Sequence, residues 1–265
     1  MYNKVNDSMP IERRKRGRMN SFVGKAIYKT ARGLAWLIFP RIRVEGLDNM
    51  PGEPCIVVGN HSQMYGPIFG EIDFPGPRRI WCASEMMNMK EVSAYAFADF
   101  WDGKPKSVRW LYKILSHLIP PISVGVFTNA LTIPVYRDAR IVSTFRETMN
   151  RLSEGDNIII YPEHAQPHNA ILCDFQAQFI DVAYFYRRQT GKELCFVPMY
   201  IAPKLKRAYL GKPVRFDGGA PIALERERIK ACLMDEITAM ARALPEHRVV
   251  PYVNVSKKKY PSSRD

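Results

Sequence analysis

No stretch of this chain approaches the roughly 18 uninterrupted apolar residues that a membrane-spanning helix requires, so a bilayer crossing is not expected. The first 18 residues are polar and basic, without the apolar segment that forms the middle of a signal peptide. Cysteines are few. Cys55, Cys82, Cys173, Cys195 and Cys232 show neither close pairing nor a metal-ligand spacing, and several stand inside apolar runs where a reduced thiol packs as a small hydrophobe. That argues against a disulfide framework, gives no reason to expect a metal, and favours a reducing, cytosolic setting. The chain also lacks an internal repeat, a recognisable nucleic-acid-binding motif and a basic stripe interleaved with aromatics. Nucleic acid is therefore not an expected partner, despite a net charge of +13.

The excess of positive charge is concentrated at one end. Residues 1–45 hold eleven Lys or Arg against three acids. Residues 1–19 read as a disordered basic tail, since the run Arg13-Arg14-Lys15-Arg16 is too charged to pack. Over residues 20–40 the pattern turns helical. Phe22, Val23, Ala26, Ile27, Leu34, Leu37 and Ile38 recur at three- and four-residue steps, beside a cationic stripe of Lys25, Lys29 and Arg32. With Trp36 added, this is the composition of a helix lying among lipid headgroups. A helix packed on the domain's own core gives the same pattern, so both readings stay open. The expectation is peripheral or monotopic attachment to the cytoplasmic face of a membrane, with anionic lipids as partners.

Residues 41–248 read as one α/β domain. Near-continuous apolar runs at 55–58, 79–83, 131–136, 157–161 and 194–199 alternate with helical patterns at 140–152, 175–188 and 222–244. Strands of that kind are covered on both faces, so the expected fold is a mostly parallel sheet flanked by helices on both sides. Residues 84–128 are less readable, with helices expected at 91–100 and 108–119. Residues 249–265 read as a C-terminal tail, with Lys257, Lys258 and Lys259 solvated.

The chemistry centres on Val57-Val58-Gly59-Asn60-His61-Ser62-Gln63-Met64-Tyr65-Gly66-Pro67. A buried strand breaks at Gly59 and presents a histidine and a hydroxyl where it meets a loop, which is where α/β proteins keep their chemistry. Alone, His61 reads as an ordinary loop histidine. Three later stretches bear on it: Ile133-Pro134-Val135-Tyr136-Arg137, Ile158-Ile159-Ile160-Tyr161-Pro162-Glu163 and Phe196-Val197-Pro198-Met199-Tyr200-Ile201. In this order, with Asn60-His61 in front, they resemble the four sequence blocks of the glycerolipid acyltransferase family, which includes lysophosphatidic acid acyltransferases. The similarity spans residues 46–221.

The resemblance implies an acyltransferase-like α/β fold and an enzyme of the 1-acylglycerol-3-phosphate acyltransferase type. Such an enzyme moves a fatty acyl group from acyl-CoA or acyl-carrier protein to a lipid hydroxyl, the thioester being a co-substrate and no cofactor being needed. His61 takes the place of the general base, a task a neutral imidazole suits. Glu163 is the second catalytic position, holding the acceptor's hydroxyl or shaping the site. Arg137 is placed to meet an acceptor phosphate, Asn60, Tyr161 and Pro162 fall among the substrate-binding positions, and Pro198 matches a block associated with the acyl donor. Three departures stand out. The family's aspartate five residues after the histidine is Gly66 here, so Glu71 or Asp73 substitutes, a backbone carbonyl orients the ring, or the site is inactive. After Pro162-Glu163 the chain reads His164-Ala165-Gln166 where the family has Gly-Thr-Arg, so a second cation is lost at Gln166. His164 either joins the base or replaces a lost contact. Leu131 stands where the second block has glycine. The acceptor is accordingly not expected to be lysophosphatidic acid, and a weakened member that binds lipid without turnover is the rival expectation.

Overall fold

A computed structural model of the protein describes residues 21–97 and 106–265. The basic tail read at 1–19 and the end of the helix read at 91–100 lie outside the described residues. The chain begins with helix α1 (Ser21–Ile38) and strand β1 (Arg43–Glu45), then β2 (Ile56–Gly59), α2 (Tyr65–Ile72) and β3 (Arg78–Ala83). Three helices follow, α3 (Val92–Ala96), α4 (Lys106–Leu118) and α5 (Pro120–Phe127), before β4 (Thr132–Val135), α6 (Ile141–Ser153) and β5 (Asn157–Ile160). A hairpin of β6 (Glu163–Pro167) and β7 (Cys173–Phe175) leads to α7 (Asp181–Thr190). The remainder is β8 (Cys195–Ala202), β9 (Arg207–Leu210), β10 (Val214–Arg215) and α8 (Ile222–Ala243).

The main sheet has the order β1-β9-β8-β2-β5-β3-β4, with β10 also on β8. Strands β8, β2, β5, β3 and β4 run parallel, while β9 and β10 are antiparallel to β8. Side chains alternate across the pleat, so β2 feeds two cores. Ile56 and Val58 join Phe145, Leu152, Ile229, Leu233 and Ile237 from α6 and α8 on one face, whereas Cys55 and Val57 join Phe69 of α2 and Phe74 on the other. Helices thus cover both faces of a mostly parallel sheet.

Two sequence expectations change. The helix read over 175–188 starts at Asp181, because residues 173–175 are drawn into the hairpin with β6 and Gln176 N–H donates to the Pro162 carbonyl at 2.9 Å. The C-terminal stretch is not a free tail. Val249, Val250, Tyr260 and Ser263 are buried, while Lys257, Lys258 and Lys259 face solvent as expected.

Helix α1 packs on the domain and also exposes apolar side chains. Gly24, Ile27, Tyr28, Ala31 and Ala35 face inward, and the helix packs on α5 and α2. Its bulky residues do not follow: Leu37 and Ile38 are 73% and 71% exposed, and Phe22, Leu34 and Trp36 are exposed with them. Helix α4, which also packs on α5, exposes Trp110, Leu111 and Ile114. No described helix is long and apolar enough to cross a membrane.

Candidate active site

Parallel strands deliver their following residues to one edge of the sheet, the carboxyl edge, where α/β folds bind ligands. His61 follows β2, Tyr161, Pro162 and Glu163 follow β5, Glu85 follows β3, and Arg137 follows β4. The first three blocks therefore meet at one edge, with β4 three strand spacings, about 14 Å, from β2, while the fourth block lies within β8.

Asn60 is buried and builds the fold. Its Oδ1 accepts the Ile201 N–H at 2.7 Å and its Nδ2 donates to the Ile201 carbonyl at 3.1 Å and to Ser62 Oγ at 2.7 Å. With both ends of the amide spent on the end of β8, it holds the strand and not a substrate. Pro198 is likewise internal. It lies opposite Val58 where β8 changes partner from β10 to β9, the place in a central strand where a missing N–H costs least, and its carbonyl accepts the Gly211 N–H at 2.8 Å. It shapes the sheet behind the site rather than contacting an acyl donor.

Beyond Asn60 the chain turns through Ser62 and Gln63 with φ of 47° and 53°, the left-handed region that costs a non-glycine residue about 1–2 kcal/mol. The loop is held from outside. Glu163, 6% exposed, accepts the His61 N–H on Oε1 at 2.6 Å and the Cys173 N–H on Oε2 at 2.8 Å, tying the loop to the β6–β7 hairpin. Each such hydrogen bond contributes about 0.5–1.5 kcal/mol, and more when the carboxyl is charged, which offsets the strain. Glu163 thus shapes the site, with both oxygens engaged. Burial pushes its carboxyl up to about 7, against the opposing pull of the Cys173 and His61 N–H groups.

The His61 ring lies between two tyrosines, edge-on to Tyr161 with centroids 5.5 Å apart and to Tyr252 at 5.6 Å. Tyr161 is fixed in turn by donating its hydroxyl to the Gly66 carbonyl at 2.6 Å, and burial raises its pKa. Burial pulls the His61 pKa down to about 4, countered only by the backbone of Gln63. Nδ1 is buried and reaches no hydrogen-bond partner among the described residues. The ring is therefore neutral at pH 7.

Neither acid expected to orient the ring does so. Glu71 accepts from the Tyr28 hydroxyl and from Leu131 N–H at 3.1 Å, with Arg32 at 3.9 Å, and Asp73 pairs with Arg41 and accepts the Ile42 N–H at 2.9 Å. At 1.5 Å per residue, the far end of α2 carries them away from His61 to bind α1 and the start of β1. Gly66 also explains its own presence. A Cβ there would drive into the His61 carbonyl oxygen, well inside van der Waals contact, and meet Tyr161 Cε1 at 3.1 Å, so this loop has no room for the family's aspartate.

The remaining positions separate. Pro162 is buried. His164, on the opposite pleat from Glu163, turns to Asp174 with Nε2 3.2 Å from Oδ2, and Asp174 also binds Lys230 of α8 at 2.7 Å. It does not join His61. Gln166 is exposed. Arg137 is 72% exposed and 3.9 Å from Glu85, an accessible cation on the same edge. Sequence reading missed Gln63, Tyr252 and Tyr260. Gln63 stood within the motif, but nothing local links it to residues some 190 positions later.

No family model and no curated protein sequence matches the chain. Among solved structures, the crystal structure of the 1-acyl-sn-glycerophosphate (LPA) acyltransferase PlsC from Thermotoga maritima is similar at 17% identity and a TM-score of 0.43, covering 86% of this chain and 84% of that one.

Proposed function

We propose that the protein is an O-acyltransferase that moves a fatty acyl group from an acyl thioester, on CoA or acyl-carrier protein, to a hydroxyl of a polar glycerolipid at a membrane surface. The observation that carries this reading is the His61 loop: a neutral imidazole at the carboxyl end of β2, on a strained turn locked by Glu163. Strain held in place from outside is a mark of functional sites. With Nδ1 sealed, Nε2 is the nitrogen that meets substrate. It takes the acceptor's hydroxyl proton as the oxygen attacks the thioester carbonyl. The C–S bond then breaks, and the departing thiolate recovers the proton from His61. No covalent enzyme intermediate is required, because the thioester is already activated.

Arg137 supplies one cation for an acceptor phosphate. With Gln166 in place of a second, no two-arginine clamp forms, which favours an acceptor other than lysophosphatidic acid. The exposed apolar residues of α1 and α4, beside Lys25, Lys29 and Arg32, support contact with an anionic membrane on the cytoplasmic face. A second reading, a member that binds lipid without turnover, is favoured by the missing carboxylate at His61. Purified protein incubated with lysolipid-bearing vesicles and labelled acyl-CoA or acyl-carrier protein separates the two. Labelled lipid product supports the enzyme and names the acceptor, while vesicle binding with no product supports the second reading.

A further inference from the structure

The His61 ring is held although no carboxylate among the described residues holds it. The C-terminal segment that follows α8 supplies the constraint. Gln63 is gripped at both ends of its amide: Nε2 donates to the Val253 carbonyl at 3.2 Å, and Oε1 accepts the Tyr260 hydroxyl at 3.0 Å. Tyr260 is buried, and its segment is anchored on the sheet. Ser263 N–H donates to the His247 carbonyl at 2.9 Å, Arg248 donates to the Tyr260 carbonyl at 2.8 Å, and the His247 ring meets the Tyr200 hydroxyl of β8 at 2.8 Å. The same segment lays Tyr252 against His61, with the two rings edge to face.

We infer that residues 245–263 complete the catalytic site, with Gln63 and Tyr252 as positioning residues that hold the His61 ring where a carboxylate would otherwise do so. This rests on the reading of His61 as the base. The grip on the Gln63 side chain stabilises the left-handed turn and so keeps the Gln63 backbone beside the ring, where it is the group that favours the protonated form. Tyr252 and Tyr161 fix the ring plane and exclude water. The two edge-to-face pairs offset part of what an unpaired buried nitrogen costs. The groups around His61 are Tyr161 just after β5, Tyr252 from the C-terminal segment, the Gln63 backbone, and Glu163, which accepts its backbone N–H.

The test is nuclear magnetic resonance of the full chain with ring-15N histidine, paired with acyl transfer. Tyr252→Ala is expected to raise the His61 pKa from about 4 toward its ordinary 6.5, while Tyr252→Phe, which keeps the ring, leaves it at the wild-type value. Tyr260→Phe, which removes the donor to Gln63 and keeps the buried ring, is expected to lower kcat by about tenfold with KM for the thioester unchanged. A wild-type His61 pKa in folded Tyr252→Ala overturns the inference, as does a Tyr252→Phe shift as large as that of Tyr252→Ala. Should Tyr252→Ala not fold, the wild type decides: ring protons of Tyr252 and His61 must show a nuclear Overhauser contact, and its absence overturns the placement. The resonance measurements use no substrate, so their outcome is separate from that of the acyl-transfer reading.

Discussion

Glu163 and His61 share one hydrogen bond, and burial moves their pKa values in opposite directions, to about 7 and about 4. Their effects on stability oppose each other. A carboxyl raised from 4.5 to about 7 contributes stability that is full below pH 4.5 and lost as pH rises through 7. A histidine lowered from 6.5 to about 4 contributes stability present above pH 6.5 and lost as pH falls through 4. In wild type the two slopes cancel over pH 4.5 to 6.5. Glu163→Gln removes one of them, and urea unfolding midpoints should then rise with pH across that window by up to about 1.4 kcal/mol per unit; a flat profile would mean that His61 is not buried as described. Gly66→Asp belongs to the same scale. Its Cβ meets the His61 carbonyl and Tyr161, so it is expected to lower stability by about 1–3 kcal/mol and to reduce any acyl transfer. A gain in rate would contradict the loop geometry. The motif singled out His61 in the sequence, but the contacts of its neighbours could not be read there. Asn60 bonds the end of β8, about 140 positions away, and Glu163 reaches Cys173 across a hairpin whose short strands carry no periodic signal.

At the scale of elements, the strands were readable because burial on both faces leaves continuous apolar runs. Helix α5 was not read; it opens on Pro120 and Pro121, residues well placed in a helix's first turn. The C-terminal segment was hidden for another reason: its short buried stretches, Val249-Val250 and Tyr260, carry no periodicity and gain their meaning from Gln63. Helix α1 was read correctly as amphipathic, but the division of its faces needed the structure, which sets small residues inward and bulky ones outward. This makes α1 part of the domain as well as a candidate anchor. Deleting residues 1–40 would uncover α5 and strip Glu71 of Tyr28 and Arg32. The cleaner change is Leu37→Asp with Ile38→Asp, at two exposed positions. Loss of two apolar contacts of roughly 1.5 kcal/mol each should weaken binding to anionic vesicles about 100-fold with the melting temperature unchanged. Undiminished cosedimentation would move the anchor to α4, where Trp110 is exposed.

Across the whole molecule, the sheet brings residues from four distant stretches to one edge, while α1 and α4, both packed on α5, expose an apolar, partly cationic surface. A lipid hydroxyl presented by a membrane, a neutral imidazole to deprotonate it and a cation on the same edge form a consistent path for acyl transfer, provided His61 is the base. That proviso is tested most directly by comparing wild type with His61→Ala in the transfer of a labelled acyl group from acyl-CoA or acyl-carrier protein to vesicle lipid. The ring packs at a loop between Tyr161 and Tyr252 and outside the two main cores, so the variant should keep the wild-type circular dichroism spectrum. The account predicts labelled lipid with wild type and a loss of at least about 100-fold with His61→Ala. Equal labelling by a folded His61→Ala would contradict it.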